Sequence, residues 1–131
     1  MLIVDDEPAV LDGLRREFRQ AAPGWDISYV LNASEALMTA EMQVHDVIIS
    51  DIRMPGMHGA ELLTRFAVLH PTILRIAFSD KYDALTTNAV TDCPHHYIAK
   101  PCKAEALYSS VDTWLRRHRR TLGRSHDKFL G

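Results

Sequence analysis

Short apolar runs that stop at polar or charged residues recur along this 131-residue chain and constrain its fold more than any other feature. The clearest run is 47–49, which passes through Ser50 and stops at Asp51, with the turn-forming pair Pro55-Gly56 shortly after it. A run of this length bounded by turn signals is typical of a strand buried on both faces. Asp51 is therefore expected where a central strand leaves the sheet, and in a parallel α/β sheet ligands bind at that edge.

Five apolar runs alternate with segments whose apolar residues recur at helical spacing. The predicted strands are about 2–4, 25–30, 46–50, 73–78 and 95–99. The predicted helices are about 8–22, a segment capped by Asn32 or Ser34, 58–69, 81–91 and 103–120. Strands that alternate with helices in this way indicate βαβ units and a parallel sheet. Five repeats predict an α/β fold with a doubly wound, flavodoxin-like sheet in the strand order 2-1-3-4-5 and helices on both faces.

The composition narrows the class of protein. A hydrophobic content of 47% allows one domain with a real core, and a net charge of -2 argues against a general nucleic-acid binder. No apolar run reaches the length of a membrane span and no secretory signal is visible, so we expect a cytoplasmic protein without membrane contact. The basic run 116–120 is interpreted as a solvated helix end, where cations are favourable, and direct nucleic-acid binding is not expected.

The predicted strand order brings polar side chains from different strands to one edge of the sheet. Its switch point lies between the first and third strands, which end at Asp5, Asp6 and Asp51. Crowded carboxylates repel one another unless a cation is present, and oxygen ligands suit Mg²⁺. Ser79 and Lys100 end the fourth and fifth strands at the same edge, where a lysine can hold a phosphate oxygen. This arrangement predicts in-line phosphoryl transfer onto Asp51 as the nucleophile.

These residues resemble the receiver domain of bacterial two-component response regulators. The matching segments are 4–8 (VDDEP), 51–59 (DIRMPGMHG), Phe78-Ser79 and 97–101 (YIAKP). Each segment alone is a weak signal, but all four occur in order and each lies at a predicted strand end. Together they extend the resemblance over nearly the whole chain.

The resemblance implies a phosphorylation-dependent signalling switch that is not a turnover enzyme. Asp51 would be the phosphoacceptor, and Mg²⁺ would be held by Asp5, Asp6, Asp51 and the backbone carbonyl of Arg53. The donor would be a sensor histidine kinase or a histidine phosphotransfer protein. The readout, including a homodimer, would use a face formed by the predicted fourth helix, the fifth strand and the last helix.

The resemblance also implies roles for residues of the fourth and fifth strands. Ser79 would be the switch hydroxyl that turns toward the phosphoryl group, and Lys100 would pair with its oxygens. Tyr97 would report that turn by changing its rotamer. A cis peptide bond would precede Pro101, as in the family.

Asp80 departs from the family pattern, which usually has alanine or glycine after the switch hydroxyl. A carboxylate there adds bulk and like charge beside a site that must admit a phosphate. It would slow phosphorylation, slow dephosphorylation, or have little effect if it points outward. Lys81 and Arg53 are candidates for offsetting its charge.

Parts of the same sequence pattern also occur in three other functional classes. A phosphate-independent, pseudo-receiver interaction module is encouraged by Asp80. A phosphatase of the haloacid dehalogenase type would also use a strand-end aspartate, but it expects a second acid at the position of Arg53. A flavodoxin-type flavin carrier is disfavoured, because acids occupy the first loop where a phosphate needs amides.

The chain is expected to contain one receiver domain over residues 1–120. Residues 121–131 show no clear pattern and are expected to be a C-terminal tail or the start of a linker to an output domain outside this sequence. The segment 123–125, Gly-Arg-Ser, would suit such a linker.

Overall fold

The strands and helices follow one another in the predicted alternation. The computed structural model describes residues 1–54, 56, 59–80 and 94–130. The strands are β1 Leu2–Val4, β2 Ser28–Val30, β3 Val47–Asp51, β4 Leu74–Asp80 and β5 His96–Lys100. The helices are α1 Pro8–Ala21, α2 Ala33–Met42, α3 Gly59–Leu69 and α4 Ala104–Leu130. All neighbouring strands are parallel and their order is β2-β1-β3-β4-β5, which confirms the predicted fold.

Local signals explain where several elements begin. Pro8 occupies the first turn of α1, where its missing N–H removes no hydrogen bond. Asn32 caps α2, since its Oδ1 accepts a 2.9 Å hydrogen bond from the N–H of Glu35. Strand β2 begins later than predicted because Trp25 is still in the turn after α1, with its N–H bonded to the carbonyl of Ala22. The predicted helix 81–91 lies outside the described residues.

The last helix is longer than predicted. Helix α4 has 27 residues and continues to Leu130, whereas the predicted end was residue 120. No proline interrupts the chain after Pro101, and Gly123 alone is a weak breaker that a helix tolerates. The basic run 116–120 therefore lies inside the helix and not at its end. Among the described residues, no helix combines the length and apolar character needed to cross a membrane.

The sheet has a separate hydrophobic core on each face, because successive side chains of a strand point to opposite sides. One core contains Ile3, Ile49 and Ile76 packed on Leu11 and Phe18 of α1 and on Leu107 and Val111 of α4. The other contains Leu2, Ile48 and Ala77 packed on Ala36 of α2 and on Leu62 and Phe66 of α3. Both cores bury the central strands on their two faces, and this packing positions the residues at the ends of these strands.

The register of the strands decides which polar residues become neighbours. Val4 pairs with Ser50, so Asp5 and Asp51 follow at the same level on adjacent strands. Asp80 pairs with Lys100 at the far side of the same edge. The carboxyl edge of the sheet therefore collects the polar residues that end β1, β3, β4 and β5.

Candidate functional site

Three carboxylates meet where β1 and β3 end side by side. One oxygen from each of Asp5, Asp6 and Asp51 lies within 4.8 Å of the other two. Asp5 is fully buried, Asp51 is buried and Asp6 is half-buried. The predicted switch point places these three residues together, and the pairing of β1 with β3 brings them together.

Lys100 connects two of these carboxylates. Its Nζ donates a 2.7 Å hydrogen bond to Oδ2 of Asp5 and lies 3.0 Å from Oδ2 of Asp51. The same Nζ is 5.2 Å from the centroid of the Phe78 ring, within the range of a cation–π interaction. The peptide bond between Lys100 and Pro101 is cis. Lys100 is therefore a fixed part of the acidic site.

Backbone amides hold the remaining carboxylate oxygens. Oδ1 of Asp5 accepts a 2.9 Å hydrogen bond from the N–H of Glu7. Oδ1 of Asp51 accepts a 3.2 Å hydrogen bond from the N–H of Arg53. Each of these two carboxylates thus has one oxygen on an amide and the other on Lys100. Their orientations are set by the backbone turns that follow β1 and β3.

The charges of the site are only partly balanced. Burial raises the pKa of Asp51 above its usual value, although the bonds from Lys100 and from the N–H of Arg53 oppose this shift. Burial by itself would lower the pKa of Lys100, but its bonds to Asp5 and Asp51 outweigh burial and raise that pKa. Three ionised carboxylates and one ammonium group leave two negative charges. An all-oxygen donor set with this charge fits a hard divalent cation such as Mg²⁺.

Ser79 and Tyr97 differ in their relation to the site. Ser79 is buried and follows Phe78, the residue that pairs with Asp51. Tyr97 lies on the outer strand β5, where it pairs with Ala77 of β4, and it is 42% exposed. The structure therefore brings Ser79 to the polar edge, whereas Tyr97 is exposed to solvent on the outer strand.

The other residues singled out from the sequence surround this edge. Asp80 is the last residue of β4 and pairs in register with Lys100. The side chain of Arg53 is exposed, and the backbone N–H of this residue donates a hydrogen bond to Oδ1 of Asp51. Lys81 lies outside the described residues, as do Pro55, Met57 and His58 from the segment that carries the resemblance.

Sequence reasoning missed the steric role of Gly59. A Cβ atom at this position would overlap the carbonyl oxygen of Asp51, because α3 begins directly against the end of β3. The N–H of Gly59 also donates a 3.0 Å hydrogen bond to the carbonyl of Ile52. A glycine at the start of a predicted helix, shortly after the strand-end acid, was the available signal.

The chain matches the family model of the response regulator receiver domain over residues 1–112. It is 30% identical over 112 residues to the C4-dicarboxylate transport transcriptional regulatory protein DctD of Rhizobium meliloti, covering 85% of this chain and 24% of DctD. It is 31% identical over 121 residues to an uncharacterized response regulatory protein of Vibrio cholerae, covering 92% of this chain and 50% of that protein. The chain thus spans between a quarter and a half of the length of these curated relatives.

Solved structures show the same architecture. An uncharacterized protein from Neptuniibacter caesariensis is 28% identical with a TM-score of 0.79, covering 89% of this chain and 87% of that one. The response regulator protein TrrA of Thermotoga maritima, solved in complex with Mg²⁺-BeF, is 26% identical with a TM-score of 0.74. That similarity covers 86% of this chain and 95% of TrrA. Both similarities therefore concern the whole fold.

Proposed function

Because this chain belongs to the family of response regulator receiver domains, we propose that it is a signalling switch controlled by phosphorylation of Asp51. Receiver domains are signalling switches and not turnover enzymes in the usual sense. The observation that carries the proposal is the setting of Asp51 at the end of β3. Its carboxylate is held between the N–H of Arg53 and Lys100, with Asp5 and Asp6 beside it.

The proposed reaction moves a phosphoryl group from a phosphohistidine of a sensor histidine kinase or a histidine phosphotransfer protein in the cytoplasm. A carboxylate oxygen of Asp51 attacks the phosphorus in line with the leaving nitrogen, and the phosphorus–nitrogen bond breaks. The imidazole leaves with the bonding electron pair and takes a proton, while Asp51 becomes an acyl phosphate. Lys100, already 3.0 Å from Asp51, would pair with the transferred oxygens, and the hydroxyl of Ser79 would donate to one of them.

Asp5, Asp6 and Asp51, together with the backbone carbonyl of Arg53, are the proposed ligands of Mg²⁺. The two negative charges left by three carboxylates and Lys100 match this ion, and the similar protein TrrA was solved with Mg²⁺-BeF. Bound there, Mg²⁺ would offset the charge of the incoming phosphoryl group. The amide of Glu7 would keep Asp5 oriented toward the shared site.

An apolar groove beside Lys100 supports a protein as the phosphodonor. The groove has a volume of about 390 Å³ and is lined mainly by Ala9, Val10, Leu14, Phe78, Pro101 and Cys102. Lys100 forms part of its wall and also contacts Asp51. A donor helix whose apolar side rests in this groove would therefore bring its phosphohistidine to the carboxyl edge of the sheet.

Strand β5 is the proposed route from the site to the readout surface. It carries Lys100 at the site and Tyr97 on the exposed outer face. When phosphoryl oxygens compete for Lys100, its bonds to Asp5 and Asp51 must change, and Ser79 and Tyr97 would follow. The readout would be a homodimer or a partner on the face that includes β5 and α4. Residues 1–120 would form this unit, with 121–131 as tail or linker.

One observation favours a second candidate, a phosphate-independent interaction module. Asp80 pairs in register with Lys100, where the family usually has a small residue. An acidic residue in register with Lys100 adds negative charge to a strand end where the family usually has none. In this alternative the fold binds a protein partner without being phosphorylated.

Intact-mass measurement separates the two candidates. The protein is incubated with a small-molecule phosphodonor with and without Mg²⁺, beside an Asp51→Asn variant. The switch predicts a Mg²⁺-dependent gain of one phosphoryl group that the variant lacks. The interaction module predicts no gain, and an Asp80→Ala variant that then becomes phosphorylated would identify Asp80 as the cause.

A further inference from the structure

The C-terminal part of α4 carries a charge opposite to that of the rest of the chain. Residues 113–131 contain six Lys or Arg and one acid, whereas residues 1–112 contain nine Lys or Arg and sixteen acids. The net charges are therefore +5 and -7, which together give the -2 of the whole chain. Such an asymmetry within one chain indicates a negatively charged partner for the basic part.

The length of α4 removes the simplest explanation for the basic run 116–120. Cations are favourable near a helix C-terminus, but this effect falls off within the last turn. Helix α4 ends at Leu130, ten residues after Arg120. The helix dipole therefore does not account for these arginines, and the interpretation of the run as a helix end was wrong.

The basic residues recur along one side of α4. A basic residue occurs at every fourth position of this segment, namely Arg116, Arg120, Arg124 and Lys128. Arg117 directly follows Arg116 in the sequence. Positions four apart are neighbours on a helix, and this row spans about 18 Å at 1.5 Å per residue. Like charges at this spacing destabilise a free helix. A negatively charged partner would relieve this repulsion.

Arg116, Arg117 and Arg120 lie opposite the side of α4 that packs on the domain. Val111 is fully buried, and Leu115 packs against the core shared with α1. Arg117 and Arg120 are exposed, and neither forms an ion pair with another described side chain. Arg116 is 70% exposed and is 3.2 Å from Asp112. Arg117 and Arg120 are therefore open to a partner.

We propose that this basic row, consisting of Arg116, Arg117, Arg120, Arg124 and Lys128, binds the phosphate backbone of double-stranded DNA. A helix is about 10–12 Å across with its side chains, and the major groove of DNA is about 12 Å wide. Four of the five residues are arginines, whose guanidinium groups match phosphate oxygens bidentately. This inference goes beyond the phosphorylation switch and does not depend on it.

A membrane surface fits this helix less well than DNA does. A helix that lies on a bilayer must bury an apolar side in the lipid. The apolar side of α4 is already occupied, since Val111 and Leu115 face the core of the domain. The expectation that this chain makes no nucleic-acid contact rested on its total charge of -2, which averages out the local charge of +5, and on the interpretation of the run 116–120 as a solvated helix end.

The test is fluorescence anisotropy of a labelled DNA duplex of arbitrary sequence, titrated with the full chain at about 50 to 200 mM salt. Arg116 is engaged by Asp112, so four residues of the row remain for phosphates. Four phosphate contacts predict a slope of about -3.6 in log affinity against log salt, and thus a loss of about 100-fold over this range. The affinity should not depend on the duplex sequence.

Two triple variants with the same charge change locate the contact. In Arg117→Gln/Arg120→Gln/Arg124→Gln, the slope should fall to about -1, with an affinity loss of more than about tenfold at low salt. Arg15→Gln/Arg16→Gln/Arg19→Gln changes three arginines of α1 and should retain the wild-type slope. Glutamine keeps a high helix propensity, and circular dichroism checks that both variants fold.

Three results would overturn the proposal. The first is no binding of the duplex at about 50 mM salt, where phosphate contacts are strongest. The second is an equal loss in both triple variants, since total charge and not the row would then be responsible. The third is tighter binding to duplex RNA or to anionic vesicles than to DNA, because the deep, narrow major groove of RNA excludes side chains.

Discussion

The ammonium group of Lys100 is bonded to Asp5 at 2.7 Å, a contact between residues 95 positions apart in the chain. Asp5 is fully buried, and its other oxygen accepts only one described hydrogen bond, from the N–H of Glu7. The charge of Asp5 inside the domain therefore depends on Lys100. The same lysine contacts Asp51, so the stability of the site and its proposed chemistry share one cation.

Replacing Lys100 by glutamine should lower the free energy of unfolding by about 3 kcal/mol, because it leaves a buried carboxylate without its cation. Urea unfolding without divalent ions measures the loss. Added Mg²⁺ should restore part of it by supplying charge to the same carboxylates. Exposed Lys103→Gln is the control and should change stability by less than about 0.5 kcal/mol. Equal losses in the two variants would contradict the role given to Lys100.

Replacing Gly59 by alanine should destabilise the fold by about 3 kcal/mol, because the added Cβ overlaps the carbonyl oxygen of Asp51. The helical Gly13 of α1 offers a matched control, since a Cβ there meets nothing within 4 Å. Gly13→Ala should raise stability by about 0.5–1 kcal/mol. Thermal unfolding of the Gly59→Ala and Gly13→Ala variants measures both changes in stability. Equal effects would show that α3 does not abut β3 as described.

His95 should make stability depend on pH in the acid range. His95 lies at the surface, but its partial burial, followed by the charges of Arg75, His118 and His96, lowers its pKa to about 4. Its Nδ1 accepts a 3.0 Å hydrogen bond from the N–H of Arg75, which a proton on that nitrogen would remove. Since the unfolded chain protonates this group near pH 6.5, the free energy of unfolding should fall as pH decreases from about 6.5 to about 4.

Nuclear magnetic resonance titration of the His95 ring checks this dependence directly. The ring signals should shift with a midpoint near pH 4, in agreement with the lowered pKa. A His95→Gln variant keeps a hydrogen-bond acceptor without titrating, so its stability should fall less between neutral and acid pH than that of the wild type. A midpoint near pH 6.5 would refute the environment described for this ring.

Replacing Asn32 by alanine should destabilise the protein by about 1 kcal/mol, because α2 loses the side-chain cap on the N–H of Glu35. Asn32→Ser retains a capping oxygen and should stay within about 0.5 kcal/mol of the wild type. Urea unfolding distinguishes the two variants. Identical losses would mean that the cap adds nothing to the start of α2.

The sheet order and the acidic site could be predicted because their signals are local in the sequence. Each buried strand appears as an apolar run, and the acids of the site stand directly after two of these runs. Because parallel strands end at the same edge of the sheet, Asp5, Asp6, Asp51 and Lys100 lie there regardless of how the helices pack. The resemblance to the receiver domain rests on the same positions. The predicted strand order and the family resemblance therefore indicate the same site.

The remaining features depend on distances between elements, which local patterns do not contain. The tight approach of α3 to β3 determines that Gly59 must lack a side chain. The register of β5 on β4 leaves Tyr97 exposed on the outer strand. The true end of α4 was missed because the tail lacks an apolar pattern, although no proline interrupts the chain there and Gly123 is only a weak breaker.

Phosphorylation of Asp51 can be demonstrated at residue level by trapping the acyl phosphate. The protein is treated with a small-molecule phosphodonor and Mg²⁺, reduced with borohydride, digested and sequenced by mass spectrometry. Reduction converts a phosphorylated aspartate into homoserine, so homoserine should appear at position 51 and only when Mg²⁺ is present. Homoserine at another acid, or none at all despite an intact fold, would contradict the assignment of Asp51.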